Sequence, residues 1–119
     1  MLYILNSPIL TGYGVYQWIG SDLAIAKIVL SHYQEKGEVQ SAVGHEATAK
    51  LMSELFDAQI PMNRQTIEMK PGDKAIVFRL LERLPEGKVL DEKELKSVKY
   101  EIGVMIHTYL TDEAKALLN

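Results

Sequence analysis

Ser41-Ala-Val-Gly-His45-Glu-Ala-Thr48 lies where one hydrophobic period gives way to another. Val39–Val43 reads as a strand, whereas from His45 onward Ala47, Leu51 and Leu55 recur at helical spacing, with Met52 and Phe56 widening the stripe. Gly44 marks the change. A strand that stops on glycine and hands over to a helix leaves that helix's first N–H groups free. With the positive end of the helix dipole behind them, they form a ready anion site. His45 would touch such an anion directly. The simpler alternative is that Gly44 only turns the chain and His45 only fills the first helical turn.

Working outward, Leu2–Asn6 reads as a short buried strand, followed by a loop punctuated by Pro8, Gly12 and Gly14 and by an apolar stretch at Val15–Ile19 that suits a hairpin or flap. Ser21 is placed to cap a helix over Asp22–Gln34, with Leu23, Ala26, Leu30 and Tyr33 on one stripe and Gly37 at its end. Downstream, Pro61 breaks the chain before a strand candidate at Arg64–Met69. Pro71-Gly72-Asp73 then predicts a hairpin turn into Ala75–Leu81, the most apolar strand, on which Arg79 points away from the core. Arg83-Leu-Pro-Glu-Gly87 closes that strand. Asp91 and Glu94 form a capping-box pattern for a short helix to about Val98, Tyr100–Leu110 alternates as a last strand, and Asp112–Leu118 reads as a closing helical turn or two. Interleaved in this way, the elements predict a single α/β domain over residues 1–119, with a mixed sheet of about five strands flanked by helices.

Composition narrows the function. At 119 residues and 47% apolar content, the chain makes one domain with its own core. The absence of cysteine removes disulfides and thiolate metal sites, and His32, His45 and His107 do not share a two-ligand helical spacing. Met1-Leu-Tyr-Ile-Leu5 lacks the basic region and length of a signal sequence, which points to a cytoplasmic protein with no membrane partner. A net charge of −3 argues against general DNA or RNA binding. A small anion is still accommodated if positive charge is concentrated, and the three arginines, Arg64, Arg79 and Arg83, fall within one stretch while the lysines are spread out.

Most catalytic classes fail on the residues. There is no Gly-x-Ser-x-Gly elbow, no Walker lysine, and Gly12-Tyr-Gly14 lacks the third glycine and helix of a dinucleotide site. The acidic set Glu82, Glu86, Asp91, Glu92 and Glu94 reads as a solvated helix start rather than a Mg²⁺ site, so neither a metal nor a cofactor is expected. What remains is one histidine at a helix N-terminus, arginines on neighbouring strand ends and Glu86 in the turn after Arg83. That set suits cleavage of an RNA-like phosphodiester by its own 2′-hydroxyl, with His45 as the acid for the leaving 5′-oxygen.

The segments Ser41–Thr48, Asn63-Arg64 and Arg83-Leu-Pro-Glu-Gly-Lys-Val-Leu90, in register with an Asn6 that closes the first strand, resemble the small viral type III anti-CRISPR ring nucleases and their bacterial and phage-borne relatives. The resemblance runs from Leu2 to about Ser97. It implies a homodimer whose two-fold cleft binds cyclic tetra-adenylate and cleaves it without metal to linear di-adenylates ending in a 2′,3′-cyclic phosphate, silencing type III CRISPR signalling. By that similarity His45, Arg83 and Glu86 are the catalytic positions and Asn6 and Arg64 contact the ligand; Gly44, at the helix start, and Ser7, Thr11 and Arg79 are expected to line the same binding site. Viral members carry a serine where this chain has Ile9, so Ser7 and Thr11 are the nearest hydroxyls; their glutamine in the apolar strand corresponds to Arg79. The opening Asn6-Ser-Pro-Ile-Leu-Thr11 is closer to bacterial and phage-borne members. Two other readings stay open: a non-catalytic protein that sequesters a cyclic nucleotide, and a structural or regulatory homodimer.

Overall fold

The computed structural model describes residues 1–82 and 92–118. Its elements are β1 (Leu2–Leu5), β2 (Val15–Ser21), α1 (Leu23–Glu35), β3 (Val39–Ser41), α2 (Glu46–Phe56), β4 (Lys74–Leu80), α3 (Glu92–Ser97), β5 (Tyr100–Thr108) and α4 (Asp112–Leu118). The strands form one five-stranded mixed sheet in the order β2-β5-β4-β1-β3. β1 is parallel to both β3 and β4, while β5 runs antiparallel to β4 and β2, so β5 alone is reversed. The carboxyl ends of β1, β3 and β4 therefore share one edge of the sheet.

The two faces are covered differently. On one face, Leu2, Ile4, Ile76, Phe78 and Ile102 pack against Ala26 and Leu30 of α1 and Ala49, Met52 and Phe56 of α2. Phe78 has no exposed surface and stacks on Tyr100 with ring centroids 4.9 Å apart, and burying a side chain of that size contributes about 2–3 kcal/mol. Alternation sends Leu5, Ala75, Val77 and Met105 to the other face, where Ala42, Ile67 and Met69 join them. Here the cover is irregular chain. Residues 6–14 leave the carboxyl end of β1 and reach β2 at the opposite edge, where Val15 pairs with Thr108. Residues 63–73 make the same journey, from a bond between Asn63 N–H and the Val43 carbonyl to one between Gly72 N–H and the His107 carbonyl, each 2.8 Å.

Three local expectations are corrected. Asp22, not Ser21, caps α1: its Oδ1 accepts the Ile25 N–H at 2.8 Å, whereas the Ser21 hydroxyl donates to the Asp22 carbonyl. Residues 64–69 are not a strand and make no hairpin with β4, because β1 and β5 already occupy both sides of β4. Ile67 and Met69 are buried while Thr66 and Glu68 are exposed, so the alternation in the sequence reports packing without a hydrogen-bond ladder. The third strand ends at Ser41, with Val43 making only an isolated bridge to Met62. Pro71-Gly72 does form a turn, with Gly72 at φ +99° and the Asp73 N–H bonded to the Lys70 carbonyl. The Arg83–Gly87 closure and the Asp91 cap lie outside the described residues.

Candidate functional site

The expected site residues gather at the carboxyl edge of the parallel strands, the edge at which open α/β sheets bind ligands. Asn6 and Ser7 follow β1, Gly44 and His45 link β3 to α2, and Arg79 lies next to the last residue of β4.

His45 is the N-cap of α2, with extended backbone angles and a side chain that makes no capping bond to the free backbone N–H groups. The first helical bond runs from Ala49 N–H to the His45 carbonyl, so the three preceding N–H groups open outward as the termini of helices generally do. The ring does not hang free. Its Nδ1 lies 3.3 Å from Oγ1 of Thr48, a residue only 4% exposed, while the imidazole itself is exposed. Spaced three residues on, Thr48 stands one helical turn beneath the cap and steers the imidazole over the helix end. Among the described residues, no group is bonded to the other ring nitrogen.

Arg64 is brought to the same place by a second set of bonds. Asn63 N–H donates to the Val43 carbonyl, and the side-chain amides of Asn63 and Gln65 both donate to the Ser41 carbonyl, at 2.8 and 3.1 Å. The Ser41 hydroxyl in turn donates to the Pro61 carbonyl at 2.7 Å. This stitching lays the aliphatic stem of Arg64 across Gly44, where a methyl group would meet Arg64 Cγ at 3.4 Å. No carboxylate among the described residues pairs with the guanidinium. A helix N-terminus, a histidine and an unneutralised arginine thus share one exposed corner, an arrangement suited to a phosphodiester.

Asn6, Ser7 and Thr11 line an adjoining cavity of about 280 Å³, walled on its far side by Gln65, Thr66 and Ile67. Thr11 is already engaged, since its hydroxyl accepts the Met69 N–H at 2.9 Å and lies 3.4 Å from the Tyr16 hydroxyl. Its observed work is to tie the 6–14 span to the 63–73 span. Arg79 is exposed and bonded to Glu101 on β5 at 2.8 Å, so its charge is balanced on the sheet surface. The structure therefore brings Gly44, His45 and Arg64 together, puts Asn6 and Ser7 in the neighbouring cavity, and gives Thr11 and Arg79 partners of their own. Arg83 and Glu86 lie outside the described residues. Sequence reasoning missed the roles of Thr48 and Gln65. Thr48 had a signal, a hydroxyl at the third helical position after the cap; Gln65 had none, because its bond to Ser41 spans 24 residues.

Residues 2–102 match the family described as STIV B116-like. Uncharacterized protein 26 of Sulfolobus islandicus filamentous virus (isolate Iceland/Hveragerdi) is 43% identical over 107 residues, covering 86% of this chain and 87% of its own. Uncharacterized protein YddF of Bacillus subtilis (strain 168) is 35% identical over 101 residues, covering 85% and 92%. Among solved structures, B116 of Sulfolobus turreted icosahedral virus superposes with a TM-score of 0.79 at 27% identity, over 89% of this chain and 98% of that one. No helix among the described residues is long and apolar enough to cross a membrane.

Proposed function

Because this chain belongs to the STIV B116-like family, whose members include proteins of archaeal viruses and of a bacterium, we propose that it is a ring nuclease: it binds cyclic tetra-adenylate across a homodimer and cleaves it without metal to linear di-adenylates. The observation that carries this reading is the corner where His45, held by Thr48 at the start of α2, adjoins Gly44 and the Arg64 stem lying on it, with no carboxylate among the described residues paired to the guanidinium. A four-fold repeating ring fits a two-fold site, so two such corners would each address one phosphodiester.

In each corner the ligand's 2′-oxygen attacks the adjacent phosphorus in line, the bond from phosphorus to the 5′-oxygen breaks, and the 2′,3′-cyclic phosphate forms. The 2′-hydroxyl proton leaves to solvent, and protonated His45 supplies the proton that the departing 5′-oxygen takes up. The N–H groups of α2 and the Arg64 guanidinium face the charge that builds on the phosphoryl oxygens. Asn6 and Ser7 line the cavity in which the flanking nucleotide would rest. The parts of Arg83 and Glu86 at the reacting phosphate rest on the motif resemblance. Such an activity would antagonise type III CRISPR signalling in the cytoplasm of the cell in which the protein is made.

The test is incubation of the purified protein with labelled cyclic tetra-adenylate in EDTA, beside the His45→Ala variant. Di-adenylate products that fall by about 10²–10⁴ in rate in the variant, at similar affinity, support the reading. Ligand that stays intact on the protein would mean sequestration instead, and intact unbound ligand would mean that the homodimer serves another purpose.

A further inference from the structure

A second cavity, of about 440 Å³, lies at the opposite edge of the sheet. His107 on β5 marks the place: its N–H donates to the Asp73 carbonyl at 3.0 Å, just ahead of β4. From Asp73 to Arg79 the chain takes six residue steps along β4, about 20 Å at roughly 3.3 Å per residue. A mononucleotide at one edge would therefore not reach the other. The volume falls within the range of small-molecule sites, about 300–1,000 Å³.

His107 is only 4% exposed and forms part of the cavity wall. Its Nδ1 lies 3.2 Å from the Thr108 carbonyl, a bond that places the ring proton on Nδ1, and the Tyr16 ring packs edge-on at 4.5 Å. Nε2 is then an acceptor to which no group among the described residues donates. No buried side-chain nitrogen or oxygen among the described residues lacks a partner, so Nε2 is open to the cavity rather than sealed in the core. Gly14 keeps it approachable: at φ +147° the position favours glycine, and a methyl group there would press on Nε2. Tyr13 and Tyr109, both largely exposed, stand at the mouth, and Lys70 and Lys115 outnumber the single carboxylate of Glu68. His107, Tyr109 and Lys115 lie past residue 102, where the match to the family ends.

We propose that this cavity binds a mononucleotide whose base carries an exocyclic amine. The amine donates to His107 Nε2, the base lies against the tyrosines and the phosphate meets the two lysines. The test follows the side-chain nitrogens of His107 by NMR in the full chain, assigned with His107→Gln, during titration with AMP and separately with inorganic phosphate. Saturable movement of the His107 Nε2 resonance at millimolar AMP is expected. Affinity should fall about tenfold or more in the Tyr13→Ala/Tyr109→Ala double variant, whose exposed positions leave the fold intact. A resonance that AMP does not move, equal movement with phosphate alone, or an unweakened double variant would each overturn the proposal.

Discussion

Thr48 offers the sharpest test of the candidate site, because one hydroxyl connects it to His45. Thr48→Val keeps the volume and β-branching of a residue buried to 4% exposure in α2, and removes only the oxygen 3.3 Å from His45 Nδ1. A neutral side-chain hydrogen bond contributes about 0.5–1.5 kcal/mol. This one is long and its imidazole is exposed, so the lower half of that range applies, roughly 0.5–1 kcal/mol. At about 1.4 kcal/mol per factor of ten, kcat for cyclic tetra-adenylate should fall about two- to five-fold. KM should hold, since the hydroxyl reaches the ring and not the ligand. Single-turnover cleavage in EDTA reads the effect, and Thr48→Ser, which keeps the oxygen, should recover the rate. Wild-type turnover in Thr48→Val would remove Thr48 as a positioning residue. A loss as deep as that of His45→Ala in a folded variant would show that the hydroxyl does more than orient the ring.

Other expectations reach the rest of the molecule. Arg64→Ala should weaken binding of cyclic tetra-adenylate by about 10- to 100-fold, the loss of a charge-assisted phosphate contact worth roughly 1.5–3 kcal/mol; isothermal titration showing unchanged affinity would place the ligand elsewhere. Gly103→Ala would put a methyl group into the ring of Trp18, the protein's one tryptophan. The ring must swing away, costing about 1–3 kcal/mol and shifting Trp fluorescence to the red, and an unshifted spectrum with wild-type stability would contradict the packing. Burial first, and the Asp73 carboxylate second, raise the Tyr3 phenol above its ordinary value. The folded state thus holds the neutral phenol more firmly, so this stabilisation is complete below about pH 10 and is lost as pH rises through the folded value. Urea midpoints of Tyr3→Phe should decline less steeply than wild type on the alkaline side, and parallel declines would count against the assignment.

Where the sequence was legible, local rules and tertiary structure agreed. Gly44 between an alternating run and a 3.6-residue period located the start of α2 at His45, because a strand end, a glycine and an amphipathic stripe all point to the same residue. Arg79 is exposed as expected, although alternation puts it on the face where Ala75 and Val77 are buried, so its exposure reflects its place near the end of β4. At 64–69 the same alternation misled, since it records which side chains are buried and not whether the backbone finds a strand beside it. Ser21 and Asp22 are both good caps, and only the geometry of Ile25 chose between them. Neither the strand order nor the delivery of Arg64 to Gly44 was readable, because both depend on contacts between residues far apart in the chain.

The place of β2 in the sheet has a consequence for how the chain is made. β2 pairs with β5 and with no other strand, joining residues 15–21 to residues 102–108. Synthesis at about 5–20 residues per second separates the two by roughly 4–17 s. Before β5 emerges, β1, β3 and at last β4 can assemble with α1 and α2, but Trp18 and Ile19 have no strand to lie beside. The second strand to leave the ribosome is thus the one that waits longest for its hydrogen-bonding partner.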